Sequence, residues 1–135
     1  MAYWLVKTEP TEYNYNDLER LGRDRWNGVR NFKALNNIKK MLPSDLVFVY
    51  HTGKEKAIIG VAEVVSKPYP DPGESDPKLI VADMLPRYRL PYPVSLKTIK
   101  TNPAFQDWEL VHLPRLSVMP VREDYWRLVH QLAGG

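Results

Sequence analysis

The segments DLVFVYHT (45–52) and KAIIGVAEVV (56–65) decide the fold. Both are rich in Val and Ile, and both are short enough to be strands rather than helices. Gly53 with Lys54-Glu55 makes a hairpin-like connection between them.

Working back toward the N-terminus, Pro43-Ser44-Asp45 is a turn, and NFKALNNIKKML (31–42) is a helix capped by Asn31. Its expected apolar face is Phe32, Leu35, Ile38, Met41 and Leu42. NYNDLERLG (14–22) is a shorter helix, with Asn14 and Asp17 spaced as a capping box and Gly22 as the stop. YWLVKT (3–8) is a strand ending at Glu9-Pro10.

Working forward, KPYPDPGESDP (67–77) is dense in Pro, Gly and Asp and reads as an irregular loop. KLIVADMLPRYRLPYPV (78–94) is extended, and its prolines suit an edge strand or a bent one. Ser95 caps a short helix over SLKTIK, and Asn102-Pro103 starts a turn through Phe105. RLSVMPV (115–121) reads as a last strand. EDYWRLVHQL (123–132) reads as a helix with Trp126, Val129 and Leu132 on one face. Helices at both ends and short, non-alternating strands between them predict α+β, a small mixed or antiparallel β-barrel decorated with helices. No linker or repeat interrupts residues 1–135, so a single domain is expected.

Hydrophobic residues make up 44% of the chain and charged residues 26%, a globular balance. The lack of cysteine excludes a disulfide framework and suits a reducing compartment. No apolar run approaches the ~20 residues that a bilayer requires, so a soluble cytoplasmic protein is expected, without a membrane partner. Net charge is only +3, but residues 20–40 hold seven cations against Asp24 alone. That segment therefore carries +6 and the remainder −3, an asymmetry that a polyanion-facing surface would have. An ordinary solvated helix face would carry it too.

The residue sets that catalysis needs are absent. His51, His112 and His130 lie in different elements with no metal-ligand spacing, so no metal is expected. No dinucleotide fingerprint, phosphate-binding loop or Gly-x-Ser-x-Gly elbow is present, so no cofactor and no enzymatic activity are expected. What stands out is aromatic residues mixed with polar ones: Trp4, Trp26, Tyr50, His51 and Tyr69 fall at strand ends or in loops. A nucleobase has an apolar face and a hydrogen-bonding edge, so a pocket for it needs aromatic walls and a few amides or hydroxyls. Trp4 and Trp126 read as core and His51 as a structural histidine. Trp26, between Arg25 and Asn27-Gly28, stands evenly between packing and ligand stacking.

YWLVKTEP, WNGVRN (26–31), DLVFVYHT, IIGVAEVV followed by YPDP, and RLSVMPV, in that order and over almost the whole chain, resemble the EVE domain. The resemblance implies a PUA-like barrel that binds a modified base in DNA or RNA without catalysis. YTH domains, which read methylated adenine in RNA, show a weaker likeness. By this likeness Trp26 would be a wall of the base cage, with Lys7 and Thr8 on the strand beneath it. Asn27, Arg30, Asn31, Tyr50, His51 and Ser117 would share the pocket. Arg23, Arg25, Lys33, Lys39 and Lys40 would face phosphates. The alternatives are a general RNA-binding module and an enzyme acting on modified nucleotides. The chain departs from the family pattern at Asn27, where an acid is common, at Lys33 and Leu35, and at Met119.

Overall fold

The computed structural model describes residues 1–134. Strand β1 (Tyr3–Thr8) leads through helix α1 (Tyr15–Leu21), the two-residue strand β2 (Asp24–Arg25) and helix α2 (Phe32–Lys39) to the hairpin β3 (Leu46–His51) and β4 (Ala57–Val64). A short ribbon of β5 (Tyr69–Pro70) and β6 (Ile80–Val81) precedes the long strand β7 (Asp83–Ser95). Helix α3 (Leu96–Lys100), a 3-10 turn (Pro103–Phe105), helix α4 (Glu109–His112), strand β8 (Val118–Pro120) and helix α5 (Glu123–Leu132) complete the chain.

One sheet runs β2-β7-β4-β3-β1-β8 and curls into a half-barrel. Its end strands β2 and β8 do not pair with each other, so the barrel expected from sequence stays open on one side. β1 and β3 are parallel, in register from Tyr3 against Leu46 to Thr8 against His51. A parallel pair needs a long crossover, which α1 and α2 supply. The other pairings are antiparallel. β3 and β4 are buried along almost their whole length, which explains their unbroken apolar sequence. β7 bends at two register shifts against β4, and β2 covers only its Asp83–Met84 end. Pro86, Pro91 and Pro93 thus lie where the sheet edge is open and a missing N–H is tolerated.

The caps are those the sequence predicts. Asn14 Oδ1 accepts from Asp17 N at 3.0 Å, and Asp17 Oδ2 accepts from Asn14 N at 2.9 Å. Gly22 ends α1 at φ 76°. Asn31 Oδ1 accepts from Ala34 N at 3.0 Å, and the Ser95 hydroxyl accepts from Thr98 N at 3.1 Å.

Of the expected α2 face, Leu35, Ile38 and Met41 are buried, joined by Ala34 and Asn37, while Phe32 and Leu42 are exposed, at 74% and 60%. The Asn37 amide donates to Val118 O at 2.8 Å and turns that face toward β8, a non-local bond that hydrophobic periodicity does not register. The last strand is also shorter than RLSVMPV suggests, and Leu132 is exposed on α5.

Of the four buried tryptophans, three pack in the core by different means. Trp4 donates its indole N–H to Asp45 Oδ2 at 2.9 Å, and Asp45 also accepts from Ala2 N and Leu42 N. Trp126 is sandwiched between Tyr3 and Phe48, with ring centroids 4.4 and 4.0 Å away. Trp108, which the sequence left unplaced, is fully buried against Phe105 and Tyr125. At Gly60 a Cβ would meet the Tyr15 ring and Tyr88 O at 2.9 Å each, so only glycine lets Tyr15 lie across β4. Among the described residues no helix is long and apolar enough to cross a membrane.

Candidate functional site

β1 and β3 end side by side, and the chain leaves β1 by a sharp turn at Glu9-Pro10. The open side of the sheet at this end holds a cavity of about 450 Å³. The end of β1 contributes Lys7 and Thr8, the approach to α1 contributes Tyr13, and the residue before β8 contributes Ser117. Residues 24–30, from β2 into the following loop, form the remaining wall. Within that loop Gly28 adopts φ 78°, a left-handed conformation that a side chain would strain.

Trp26 is held from both ends. Its backbone N–H donates to Ala82 O at 2.9 Å. Its ring meets Tyr13 edge-on, with centroids 5.8 Å apart and planes at 86°. The residue is only 6% exposed, yet it lines the cavity. Trp26 therefore packs, and it also lines the cavity, where a ligand could reach it.

The polar groups are fixed around it. The Tyr13 hydroxyl donates to Asp24 Oδ2 at 2.9 Å, and Asp24 Oδ1 accepts from Arg25 N at 2.9 Å. Burial, reinforced by the adjacent Asp24 carboxylate, pushes the Tyr13 phenol well above its ordinary pKa, so it stays a neutral donor. Each Asp24 oxygen keeps acceptor capacity beyond these bonds. Lys7 Nζ donates to Pro114 O at 2.9 Å and sits 5.7 Å from the Tyr50 ring centroid. Burial lowers its pKa from the usual lysine value. The Thr8 hydroxyl donates to Tyr13 O at 2.7 Å. Asn27 is exposed at the rim.

Four of the seven cations of residues 20–40 are ion-paired, three of them through tertiary contacts. Arg20 pairs with Asp17, Arg23 with Asp83, Arg25 with Asp71 and Arg30 with Glu74, at 3.0–3.2 Å. Three of those acids come from residues 71–83, the segment around the β5–β6 ribbon, which lies against the Trp26 loop. Arg25 and Arg30 still line the cavity.

Of the residues expected from sequence, the structure gathers Lys7, Thr8, Arg25, Trp26, Asn27, Arg30 and Ser117 around one cavity. Tyr50 and His51 lie elsewhere, buried in β3. His51 Nε2 accepts from Tyr15 N at 3.1 Å, and its Nδ1 lies 3.1 Å from Glu55 Oε1. An accepting Nε2 places the proton on Nδ1, where it donates to Glu55, so the ring ties α1 to the hairpin. Asn31 is spent on capping α2, and with Lys33 it borders a separate shallow cavity of about 360 Å³. Arg23 is paired with Asp83, and Lys39 and Lys40 sit at the far end of α2.

Sequence reasoning missed Tyr13, Asp24, Gly28 and Val29 in this wall. Asp24 did leave a signal, as the one carboxylate in a basic run. The assembled cavity offers an aromatic wall, a carboxylate acceptor, hydroxyls, an amide and three cations. It suits a flat heterocycle with a polar edge and an anionic attachment.

Comparison with known proteins agrees with this architecture. A protein of Agrobacterium tumefaciens, Atu2648, solved by crystallography, superposes with a TM-score of 0.95 at 36% identity, over 99% of this chain and 94% of that one. The human THYN1 protein, solved in complex with 5-methylcytosine-containing DNA, has a TM-score of 0.92 at 24% identity, over 100% and 99% of the two chains, a likeness of fold. In sequence, thymocyte nuclear protein 1 of Rattus norvegicus is 33% identical over 81 residues, 51% of this chain and 36% of that protein. The match thus spans about a third of the length of that vertebrate relative. The EVE domain profile matches residues 2–132, nearly the whole chain, and the chain belongs to the EVE domain family.

Proposed function

We propose that this protein is a non-enzymatic nucleic-acid-binding module that holds a modified base of DNA or RNA in the Trp26 cavity. The observation that carries the reading is Trp26 itself: it is fixed by Ala82 and Tyr13, yet it borders a cavity of about 450 Å³. That volume lies within the roughly 300–1,000 Å³ typical of small-ligand sites. Stacking on such a ring contributes about 1–3 kcal/mol per base and tolerates any base. Selectivity then falls to the polar wall. Asp24 can accept from an exocyclic amine, while Asn27, Thr8 and Ser117 can pair with other edge groups. Arg25, Arg30 and Lys7, which line the cavity, are the cations available to the phosphates of an extruded nucleotide.

Relatives of the same fold support the choice of partner, because the human THYN1 protein was solved with DNA containing 5-methylcytosine. The decisive experiment titrates the protein with matched oligonucleotides, modified and unmodified, DNA and RNA, beside Trp26→Ala. We expect the modified strand to bind more tightly and the variant to lose that preference. Equal affinity for both strands would instead indicate a general nucleic-acid-binding module. A mass change in the modified nucleoside after incubation would indicate an enzyme.

A further inference from the structure

Charge pairing in the folded chain reverses the picture that the sequence paints. Among the described residues every arginine except Arg115 is in an ion pair, and no lysine is. The four arginines of the run that carries the excess charge in sequence are quenched, and four of the unpaired lysines gather elsewhere. Lys54, Lys56, Lys97 and Lys100 line a second cavity of about 450 Å³, between the β3–β4 turn and α3. Four lysines meet one acid there, Glu55, and its carboxylate is already engaged with His51 Nδ1. Hydroxyl-bearing Ser95 and Thr101 complete the lining.

The two walls are tied together. Leu96 N donates to Lys56 O at 2.7 Å, fixing the start of α3 to the turn. Lys56 itself sits at φ 45°, a left-handed conformation uncommon for a side chain of this kind. Like charges held this close repel one another, and an anion between them would relieve the repulsion. A phosphate oxygen accepts readily from ammonium groups.

The site also lies at the same end of the sheet as the Trp26 cavity. Thr8 lines that cavity, and Thr52 N donates to Thr8 O at 2.9 Å. Lys54 follows Thr52 by two residues, at most about 7 Å of extended chain. We propose that the four-lysine cavity holds a phosphate group of the strand whose base enters the Trp26 cavity, an inference that rests on the function proposed above.

The test compares the wild-type chain with the triple variants K54Q/K97Q/K100Q and K54R/K97R/K100R, using one oligonucleotide across a salt series. Each phosphate contact contributes about 0.7–0.9 to the slope of log affinity against log salt. The Gln variant should lose about 0.7–0.9 of slope, the share of one phosphate, and bind at least tenfold more weakly at low salt, with its preference for the modified base intact. The Arg variant should restore both. An unchanged slope in the Gln variant, with folding verified by circular dichroism, overturns the proposal.

Inorganic phosphate, titrated while the amide signals of Lys54, Lys56 and Thr101 are followed, separates the sources. Signals that move with phosphate but not with the oligonucleotide would assign the cavity to a free anion and overturn the strand assignment. Trp26→Ala, run in parallel, separates this proposal from the base reading. If that variant keeps the modification preference while the Gln variant loses slope, the phosphate site stands and the base reading falls. The opposite pattern removes the phosphate site alone.

Discussion

Trp26 and Trp126 are almost equally buried, at 6% and 7% exposure, yet their surroundings differ in kind. Trp126 has a ring on each face, Tyr3 and Phe48, both stacked nearly parallel to it. Trp26 has a single aromatic neighbour, Tyr13, which meets it edge-on. Fractional burial does not tell a tryptophan closed in on both faces from one at the edge of a cavity. The cavity contacts do: of the two, Trp26 lines a cavity.

The largest expected effect probes the closed side of this comparison. Trp126→Ala removes a ring packed on both faces, a truncation that costs about 3–5 kcal/mol in a core. Chemical denaturation should show that loss, and the fraction that remains folded should bind oligonucleotides as before. Trp26→Ala should fall at or below about 3 kcal/mol, because its cavity-facing side loses no packing. Equal destabilisation by the two substitutions would contradict the distinction drawn between them.

Tyr13 and Tyr15 repeat the contrast two residues apart. Tyr13 turns its hydroxyl to Asp24 at the cavity, whereas Tyr15 is fully buried and donates to Val61 O at 2.7 Å and Tyr88 O at 3.1 Å. Burial, with Glu19 nearby, pushes the Tyr15 phenol from 10.0 up to about 12. A raised folded-state pKa means that the stabilisation is complete below pH 10 and is lost as pH climbs through 12. Two pH units correspond to between about 2 and 3 kcal/mol. Urea titrations at pH 9, 10, 11 and 12 should show the fall, and Tyr15→Phe should flatten the component due to this residue.

On the open side, Trp26→Ala should weaken binding of the modified oligonucleotide by roughly ten- to a hundredfold, the equivalent of about 1–3 kcal/mol of stacking. Trp26→Phe, which keeps an aromatic face, should recover part of it. A full loss in both would mean that the indole serves by its shape or its N–H rather than by stacking.

How much of this was legible from the sequence depends on the range of the interaction. The caps at Asn14, Asn31 and Ser95, and the strand identity of 45–52 and 56–65, are local, and they stand in the structure as read. The α2 face was legible at Leu35, Ile38 and Met41 but not at Phe32 and Leu42, and Asn37, committed to Val118 81 residues away, gave no local signal. His51 read from its residues as structural, and it is, with Nε2 accepting from Tyr15 N; the family likeness alone put it in the pocket. The basic run 20–40 was legible as charge but not as free charge, since its partners Asp71, Glu74 and Asp83 are 44–60 residues further along. Family likeness brought Trp26 and Lys7 together with Ser117, a grouping that no spacing rule supplies.

The smallest expected effect asks whether those paired arginines still serve a ligand. Arg30 and Glu74 are both substantially exposed, with side chains 65% and 38% accessible, so their pairing contributes at most about 1 kcal/mol. A strand that recruits Arg30 must first release it from Glu74. Glu74→Gln removes that competition and one repelling charge, and should tighten oligonucleotide binding about two- to fivefold at low salt. The gain should fade at high salt, because both terms are screened. Asp71→Asn would be a poorer probe, since Asp71 is buried and also accepts from Gly73 N at 2.9 Å. Tighter binding by Glu74→Gln would make Arg30 a cation held in reserve at the cavity mouth. Weaker binding would show that Glu74 orients Arg30 for the ligand, and the acidic 71–83 segment would then belong to the site as a positioning element and not as a competitor.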